Sequence, residues 1–291
     1  MPNPLFEGCA VALITPFKGN EIDWKALDHL VDFQLEMGTD AIVACGTTGE
    51  PSTMTDAEWE KTLSRVIERV QGKVPVIAGT GGNNTAEVIK KAAIARSLGA
   101  DAQLCVTPYY NKATQAGLIA HYTAIAEDSD LPMILYNVPG RTGLNMAPET
   151  LARLSEHENI IAMKEASGNM AQVMEMMRLC GERIAFYSGN DELTVPFRAM
   201  GAKGVISVAA NIAPRLMKDL CHLPLEEAAK MNLSALPLIN ALFTEVNPIP
   251  VKAAAAMMGF CENELRLPLT PLSPANAETL RNEMKKAGLI C

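Results

Sequence analysis

The chain has 291 residues, of which 48% are hydrophobic and 20% are charged, a composition typical of a globular protein with a large core. Its net charge of -8 disfavours binding to nucleic acid, because an acidic surface repels phosphates and no cluster of lysine and arginine is visible. The sequence has no apolar stretch of transmembrane length and no recognisable secretory signal. We therefore expect a cytoplasmic protein without membrane partners.

The cysteines and histidines give no sign of a metal site or a disulfide framework. The seven cysteines are odd in number and widely spaced, and no CxxC pair occurs among them. The four histidines lack the spacing of metal ligands. We expect reduced thiols and no bound metal.

Short apolar runs recur along the chain and predict eight buried strands. They are apolar on both faces, as strands of a parallel sheet are. The runs are residues 9–14, 41–44, 74–78, 102–106, 133–136, 160–163, 184–187 and 204–207. Amphipathic helices are predicted between them, among them 23–37, 55–71 and 84–98, and the pattern from Asn84 to Glu87 predicts a capping box.

This alternation predicts an α/β fold, and eight units within this length fit a (β/α)₈ TIM barrel. A doubly wound sheet is the alternative, but its glycine-rich turn is missing after the first strand. Beyond the last strand, helices are predicted over 226–245, 249–259 and 274–287. We therefore predict a barrel domain over 1–224 and a helical C-terminal domain over 225–291.

A barrel carries its chemistry at the carboxyl ends of its strands. The unusual residues of this chain follow the predicted strands at that end, at 46–50, 107–112, 136–142, 164 and 188–191. By contrast, residues 79–84 are interpreted as a flexible glycine-rich loop, because they lack the lysine of a nucleotide-binding loop. Met170, Met174 and Met177 have helical spacing and are interpreted as core.

Lys164 directly follows an apolar strand, so its amine is expected to emerge from the barrel interior. Burial disfavours the ammonium form and makes the amine a nucleophile towards carbonyl groups. A buried salt bridge would explain the same position. Tyr136, at the end of the preceding strand, is either a proton relay or a packed tyrosine.

Two further segments have an anion-binding and a structural interpretation. The backbone of Thr47 and Thr48, between two glycines, either binds an anion or forms only a tight turn. The guanidinium of Arg141 either holds a carboxylate or is an exposed loop charge.

Five segments in order resemble the dihydrodipicolinate synthase family of pyruvate-dependent class I aldolases, to whose superfamily the N-acetylneuraminate lyases also belong. The segments are residues 46–50, 109–112, 136–142, 164–168 and 247–252, so the resemblance spans nearly the whole chain. Residues 109–115 and Arg141 are more similar to the synthases than to the sugar-acid lyases, although Ala113 stands where a proline is usual.

The resemblance implies condensation of pyruvate with aspartate 4-semialdehyde in lysine and diaminopimelate biosynthesis, with no cofactor. Lys164 would form an imine with pyruvate, while Thr48, Tyr136 and Tyr110 would relay protons. The pyruvate site would comprise Thr47, Thr48, Gly189 and Ile206, and Arg141 would hold the semialdehyde.

The family resemblance also implies a homotetramer arranged as a dimer of dimers, in which Tyr110 enters the site of a neighbouring subunit. A lysine-inhibition site would involve Ser52, Asn83, Glu87 and Tyr109. However, Asp56 and Trp59 stand where lysine-sensitive relatives often carry histidines, which counts against inhibition. A lyase acting on a sugar acid or hydroxy-oxo acid and a silent carboxylate-binding barrel are the alternatives.

Overall fold

A closed barrel of eight parallel strands forms the centre of the computed structural model, which describes residues 4–291. Each barrel strand pairs with the next along the chain, and the last closes on the first. The predicted TIM-barrel fold is therefore confirmed. The barrel strands are β1 (Gly8–Ala12), β4 (Ala41–Ala44), β5 (Val76–Gly79), β6 (Ala102–Val106), β7 (Met133–Asn137), β8 (Ile160–Glu165), β9 (Ala185–Ser188) and β10 (Gly204–Ser207), while β2 (Phe17–Lys18) and β3 (Glu21–Ile22) form a separate antiparallel pair.

Helices surround the barrel and continue beyond it. Within residues 4–224 there are nine: α1 (Trp24–Glu36), α2 (Asp56–Val70), α3 (Thr85–Leu98), α4 (Gln115–Asp128), α5 (Pro139–Thr142), α6 (Pro148–Leu154), α7 (Met170–Cys180), α8 (Thr194–Ala199) and α9 (Pro214–His222). Three follow: α10 (Leu225–Ala241), α11 (Ile249–Met257) and α12 (Pro274–Lys286). Their bounds lie close to those predicted from the sequence.

The barrel interior is filled by inward-facing apolar side chains, so it is a packed core rather than a pore. The members of this inner cluster include Ala12, Val43, Ile77, Leu104, Ile134, Tyr136, Ala162, Tyr187 and Ile206. The opposite faces of the strands pack against the helices in two further clusters. The carboxyl ends of these strands meet at one rim of the barrel, where a barrel carries its site.

The C-terminal helices share a hydrophobic core with the barrel. Val251 and Ala254 of α11 are fully buried in the same cluster as Leu13 and Ile14, which follow β1. A buried ion pair between Lys252 of α11 and Glu50 joins the two regions. The division at residue 225, where α10 begins, remains a prediction about domains.

Helix α2 carries the capping box that the sequence analysis placed on α3. Thr55 accepts a hydrogen bond from the Glu58 N–H, and the Glu58 carboxylate accepts one from the Thr55 N–H. At the start of α3, the Asn84 side chain instead accepts from the N–H of Ala86, one residue too early for the predicted box. Asparagine side chains commonly accept a hydrogen bond from the N–H two residues on, as in an Asx turn.

Residues 80–84 form a loop between β5 and α3, as expected, and its flexibility stays a prediction, but the glycines at its start are closely packed. Thr80 is buried, and a Cβ on Gly79 would lie 2.1 Å from the carbonyl oxygen of Cys45. A Cβ on Gly81 would lie 2.3 Å from the amide nitrogen of Val106. These glycines therefore allow close backbone approach between neighbouring strand ends.

Helix α7 departs in part from the predicted methionine core. Val173, Met176 and Cys180 are its fully buried side chains, whereas Met174 is exposed. Met170 and Met177 are half-buried at the edge of the core. The inward face of the helix is therefore rotated by about one residue from the predicted face.

No helix within residues 4–291 is both long and apolar enough to cross a bilayer. The expectation of no secretory signal concerns the N-terminus, and its residues 1–3 lie outside the described part.

Candidate active site

Lys164 and Tyr136 lie side by side at the carboxyl end of the barrel. Strands β7 and β8 pair in parallel with these two residues in register. The Lys164 ammonium nitrogen lies 4.3 Å from the centroid of the Tyr136 ring, and both side chains are buried, with 5% and 7% exposure. The lysine side chain therefore emerges from the apolar interior of the barrel, as the sequence predicts.

The surroundings of Lys164 favour its neutral amine. Burial lowers its pKa to about 8, because a charged ammonium is poorly solvated there. The carboxylate of Asp191 opposes this by raising the pKa, and the Arg141 guanidinium lowers it further. A useful fraction of the amine is therefore unprotonated near neutral pH, as a nucleophile requires.

Tyr136 keeps its proton. Burial raises the pKa of its phenol to about 12, while the Arg141 guanidinium acts in the opposite direction. A protonated phenol beside an amine can donate a proton to an oxygen leaving the carbon attached to that amine. The pair thus combines a nucleophile with a proton donor.

Asp191 is a buried carboxylate that sequence reasoning placed at the rim without a role. Its Oδ2 accepts hydrogen bonds from the N–H groups of Val208, at 3.1 Å, and Ala209, at 2.8 Å. Burial raises its pKa to about 6, so it is mostly ionised at neutral pH. It therefore supplies a fixed negative charge that acts on Lys164.

The two threonines of the 46–50 turn have different environments. Thr47 and Thr48 begin a one-turn 3₁₀ helix, whose first N–H groups are not needed for its own hydrogen bonds. The Thr47 side chain is exposed, whereas Thr48 is buried and its hydroxyl accepts a 3.0 Å hydrogen bond from the amide nitrogen of Asn247. The turn can thus present backbone donors to a carboxylate.

Arg141 belongs to the four-residue helix α5, which follows β7. One guanidinium nitrogen donates to the carbonyl oxygen of Asn247 at 3.1 Å. The planar group has five donors, so the remaining ones are available to a carboxylate. Arg141 is therefore an exposed cation that this one bond tethers beside Asn247.

Two adjoining cavities lie at this end of the barrel. The inner cavity, of about 170 Å³, contains Lys164, and the outer one, of about 290 Å³, opens beyond it. Thr47, Tyr136 and Arg141 are among the residues that line both. This arrangement suits two small substrates that must meet near one amine.

The structure brings most of the predicted substrate-binding residues together. Gly189 lines the inner cavity, and a Cβ at this position would lie 3.1 Å from the Cε of Lys164, so glycine leaves room for the amine and its substrate. Ile206 is buried in the inner cluster with Tyr136 but does not line the cavity. Val208, two residues further on, lines it instead.

Only some of the predicted inhibition-site residues lie close together. Ser52 and Tyr109 line the outer cavity, and the Asn83 side chain donates to the Tyr109 carbonyl oxygen at 3.2 Å. Glu87 does not line that cavity. Tyr110 is 90% exposed and does not reach the inner cavity of its own chain.

Asn247 is the site residue whose role the sequence analysis missed. It lines the inner cavity and binds both Thr48 and Arg141, although it lies 199 residues from Thr48 in the chain. Residues 247–252 are part of the family resemblance, but no sequence pattern shows that Asn247 contacts Thr48 and Arg141.

A metal centre is not indicated by the donor set. Within residues 4–291, no group of three or more histidine, cysteine, aspartate or glutamate side chains is arranged to hold a metal ion.

Comparison with known proteins decides the family. Residues 5–287 match the model of the dihydrodipicolinate synthetase family. The chain belongs to this family. It is 53% identical to the 4-hydroxy-tetrahydrodipicolinate synthase of Trichlorobacter lovleyi, over 98% of this chain and 100% of the relative.

Two solved structures of family members have the same fold. The chloride-inhibited dihydrodipicolinate synthase of Acinetobacter baumannii, complexed with pyruvate, superposes with a TM-score of 0.96 at 46% identity, covering 98% of this chain and 99% of that one. The enzyme of Cyanidioschyzon merolae with lysine bound gives a TM-score of 0.96 at 41% identity, covering 99% and 100% of the two chains.

Proposed function

We propose that the chain condenses pyruvate with aspartate 4-semialdehyde to 4-hydroxy-tetrahydrodipicolinate, an early step of lysine and diaminopimelate biosynthesis. The observation that carries the proposal is the buried amine of Lys164 beside the Tyr136 phenol, in a cavity that Arg141 also lines. The 53% identity to a 4-hydroxy-tetrahydrodipicolinate synthase over nearly the full chain supports it, as does the pyruvate complex of a related structure.

Pyruvate binds first, in the inner cavity. The N–H groups of Thr47 and Thr48 receive its carboxylate, and the ketone carbon lies within reach of the Lys164 amine. Gly189 leaves space for the methyl group of pyruvate. The apolar walls exclude water that would otherwise solvate and protonate the amine.

Imine formation needs a nucleophile and a proton donor. The Lys164 nitrogen attacks the ketone carbon, and the Tyr136 phenol protonates the resulting hydroxyl, which leaves as water. The iminium then draws electrons from the methyl carbon. That carbon loses a proton to the Tyr136 oxygen, which restores the phenol and leaves an enamine.

The second substrate is held at Arg141 by its carboxylate, so its aldehyde lies between the two cavities. The enamine carbon attacks the aldehyde carbon, and the new alkoxide takes a proton through the relay. The amine of the added chain then attacks the iminium carbon and displaces the Lys164 nitrogen. The ring closes and the free enzyme is regenerated.

We assign the relay hydroxyl to Thr47, where the sequence analysis had chosen Thr48. The Thr47 side chain lines both cavities, together with Tyr136. The Thr48 hydroxyl is already bonded to Asn247 and does not line the outer cavity. In this proposal Thr48 anchors the turn and Thr47 transfers protons.

Tyr110 completes the relay from a second copy of the chain. Its side chain is 90% exposed and its φ of 71° is unusual for a residue other than glycine. An exposed aromatic held in such a conformation is expected to be buried by a partner surface. We therefore propose a homodimer as the catalytic unit, paired further into a tetramer, and a cytoplasmic location.

Lysine inhibition stays a prediction. Ser52, Asn83 and Tyr109 are near one another around the outer cavity, and a family member has been crystallised with lysine. Glu87 and the residues at positions 56 and 59 do not support it. Activity measured at increasing lysine concentration tests the prediction, and an unchanged rate at high concentration excludes it.

Steady-state turnover of aspartate 4-semialdehyde and of N-acetylneuraminate tests the substrate proposal. We expect turnover of the first with pyruvate and none of the second. The Arg141→Ala variant should raise the KM for semialdehyde far more than that for pyruvate. Equal effects on both, or preferred cleavage of the sugar acid, would contradict the assignment.

A further inference from the structure

Asn247 joins two parts of the site that the proposed function assigns to different substrates. Its side-chain nitrogen donates to the Thr48 hydroxyl at 3.0 Å, and its backbone oxygen accepts from Arg141 at 3.1 Å. The residue is 7% exposed and precedes helix α11. Resting on that proposed function, we propose that Asn247 is a positioning residue that holds the pyruvate turn and Arg141 at a fixed separation.

Such a separation matters because the reaction joins two carbon atoms of two bound molecules. The turn at Thr48 follows β4, whereas Arg141 follows β7, so the two lie on different loops of the barrel. A shift of about 1 Å in the position of one reactant can lower the rate a hundredfold. One residue bonded to both sides limits such shifts.

Asn247 can act in this way because its own segment is firmly held. Three residues into α11, the fully buried Lys252 bonds to Glu50 at 2.6 Å. Glu50 ends the turn that contains Thr48, and the N–H of Arg266 also donates to its carboxylate at 3.3 Å. The chain beyond residue 225 thus contacts the turn through Asn247, Lys252 and Arg266, and of these three Asn247 lines the inner cavity.

The substitution Asn247→Ala separates the two contacts. It removes the side-chain bond to Thr48 and keeps the backbone bond to Arg141. We therefore expect kcat/KM for pyruvate to fall about three- to tenfold, the usual effect of one lost hydrogen bond, while the KM for semialdehyde stays nearly unchanged.

The variant Thr48→Val tests the same bond from its other end. It should produce the same pyruvate-side loss, and it keeps the inference testable if Asn247→Ala does not fold. Because both substitutions remove one bond, the double variant should be no worse than Thr48→Val alone.

Asn232→Ala is the matched control. Asn232 is also 7% exposed, lies in the C-terminal region and donates one 2.9 Å bond, but to the carbonyl oxygen of Glu192. Its loss should lower stability without the pyruvate-specific change. This comparison distinguishes positioning from a general structural effect.

Each protein is first incubated with pyruvate and reduced with borohydride, which tests the proposed function separately. No adduct on the unmodified chain would overturn that function, and this inference with it. If the adduct forms, unchanged pyruvate kinetics in Asn247→Ala would overturn the inference alone. Equal losses for both substrates, or fully additive effects in the double variant, would also overturn it.

Discussion

Thr47 and Thr48 are adjacent in the sequence but have different surroundings. Because they are the same residue type, the sequence alone could not show which of them transfers protons. Thr47 lines both cavities, and the Thr48 hydroxyl is bonded to Asn247. The positions of Lys164 and Arg141 at the carboxyl end of the barrel could be predicted, because each follows an apolar run of the sequence. The partner of each threonine depends on residues far away in the chain.

The two threonines should respond differently to the loss of their hydroxyls. We expect Thr47→Val to lower kcat roughly a hundredfold, the size of a typical proton-transfer contribution. Thr48→Val should cost only about three- to tenfold, since it loses a positioning bond. Steady-state kinetics of both variants at saturating substrates measures the difference. A larger loss of kcat in Thr48→Val would show that Thr48, and not Thr47, transfers protons.

The charge of Asp191 should set the pH dependence of imine formation. Only the neutral amine of Lys164 reacts, so kcat/KM for pyruvate should rise with pH and level off above its pKa of about 8. Burial lowers that pKa, and Asp191 raises it. In Asp191→Asn the profile should therefore shift to lower pH, and an unchanged or upward shift would contradict the electrostatic role.

At the scale of elements, the strands were the most predictable part of the chain. Short runs that are apolar on both faces and alternate with amphipathic helices are typical of a parallel sheet, and all eight barrel strands were predicted in this way. The loops were less predictable, because their structure depends on contacts outside the local sequence. Gly79 and Gly81 lie close against the backbones of Cys45 and Val106, which no local pattern reveals.

The ion pair between Glu50 and Lys252 should be the main polar link between the barrel and helix α11. Both side chains are almost fully buried, at 1% and 0% exposure. Lys252→Met would leave the Glu50 carboxylate buried without its partner, at a cost of about 3–5 kcal/mol in the free energy of unfolding. Urea unfolding followed by circular dichroism measures this loss.

The exposed pair of Lys230 and Glu226 provides the control. Its side chains are 74% and 84% exposed, so Lys230→Met should change the free energy of unfolding by less than about 1 kcal/mol. The double variant Glu50→Gln with Lys252→Met should recover part of the lost stability, because no buried charge remains. Equal losses at the two pairs would contradict a linking role.

At the scale of the whole molecule, a single chain contains the amine, the phenol and the arginine, but its own Tyr110 is exposed and does not line the inner cavity. The composition and charge of the sequence disfavour nucleic acid as a partner, and this stays a prediction. They could not show which chain provides the tyrosine of the inner cavity. In the proposed assembly, Tyr110 of a second copy does so.

Mixed dimers test this shared site. Lys164→Ala and Tyr110→Ala should each be nearly inactive alone. After subunit exchange, a mixed dimer has one site with Lys164 from one chain and Tyr110 from the other, so part of the activity should return. If mass spectrometry shows mixed dimers and activity stays absent, Tyr110 does not act across an interface.

The most direct measurement is covalent trapping of the imine. The chain is incubated with pyruvate, reduced with borohydride, digested and mapped by mass spectrometry. Lys252 serves as an internal comparison, because it too is buried with a lowered pKa but is bonded to Glu50. We predict one pyruvate-derived adduct, on Lys164. Labelling of Lys252 or another lysine, or no labelling at all, would contradict the imine mechanism.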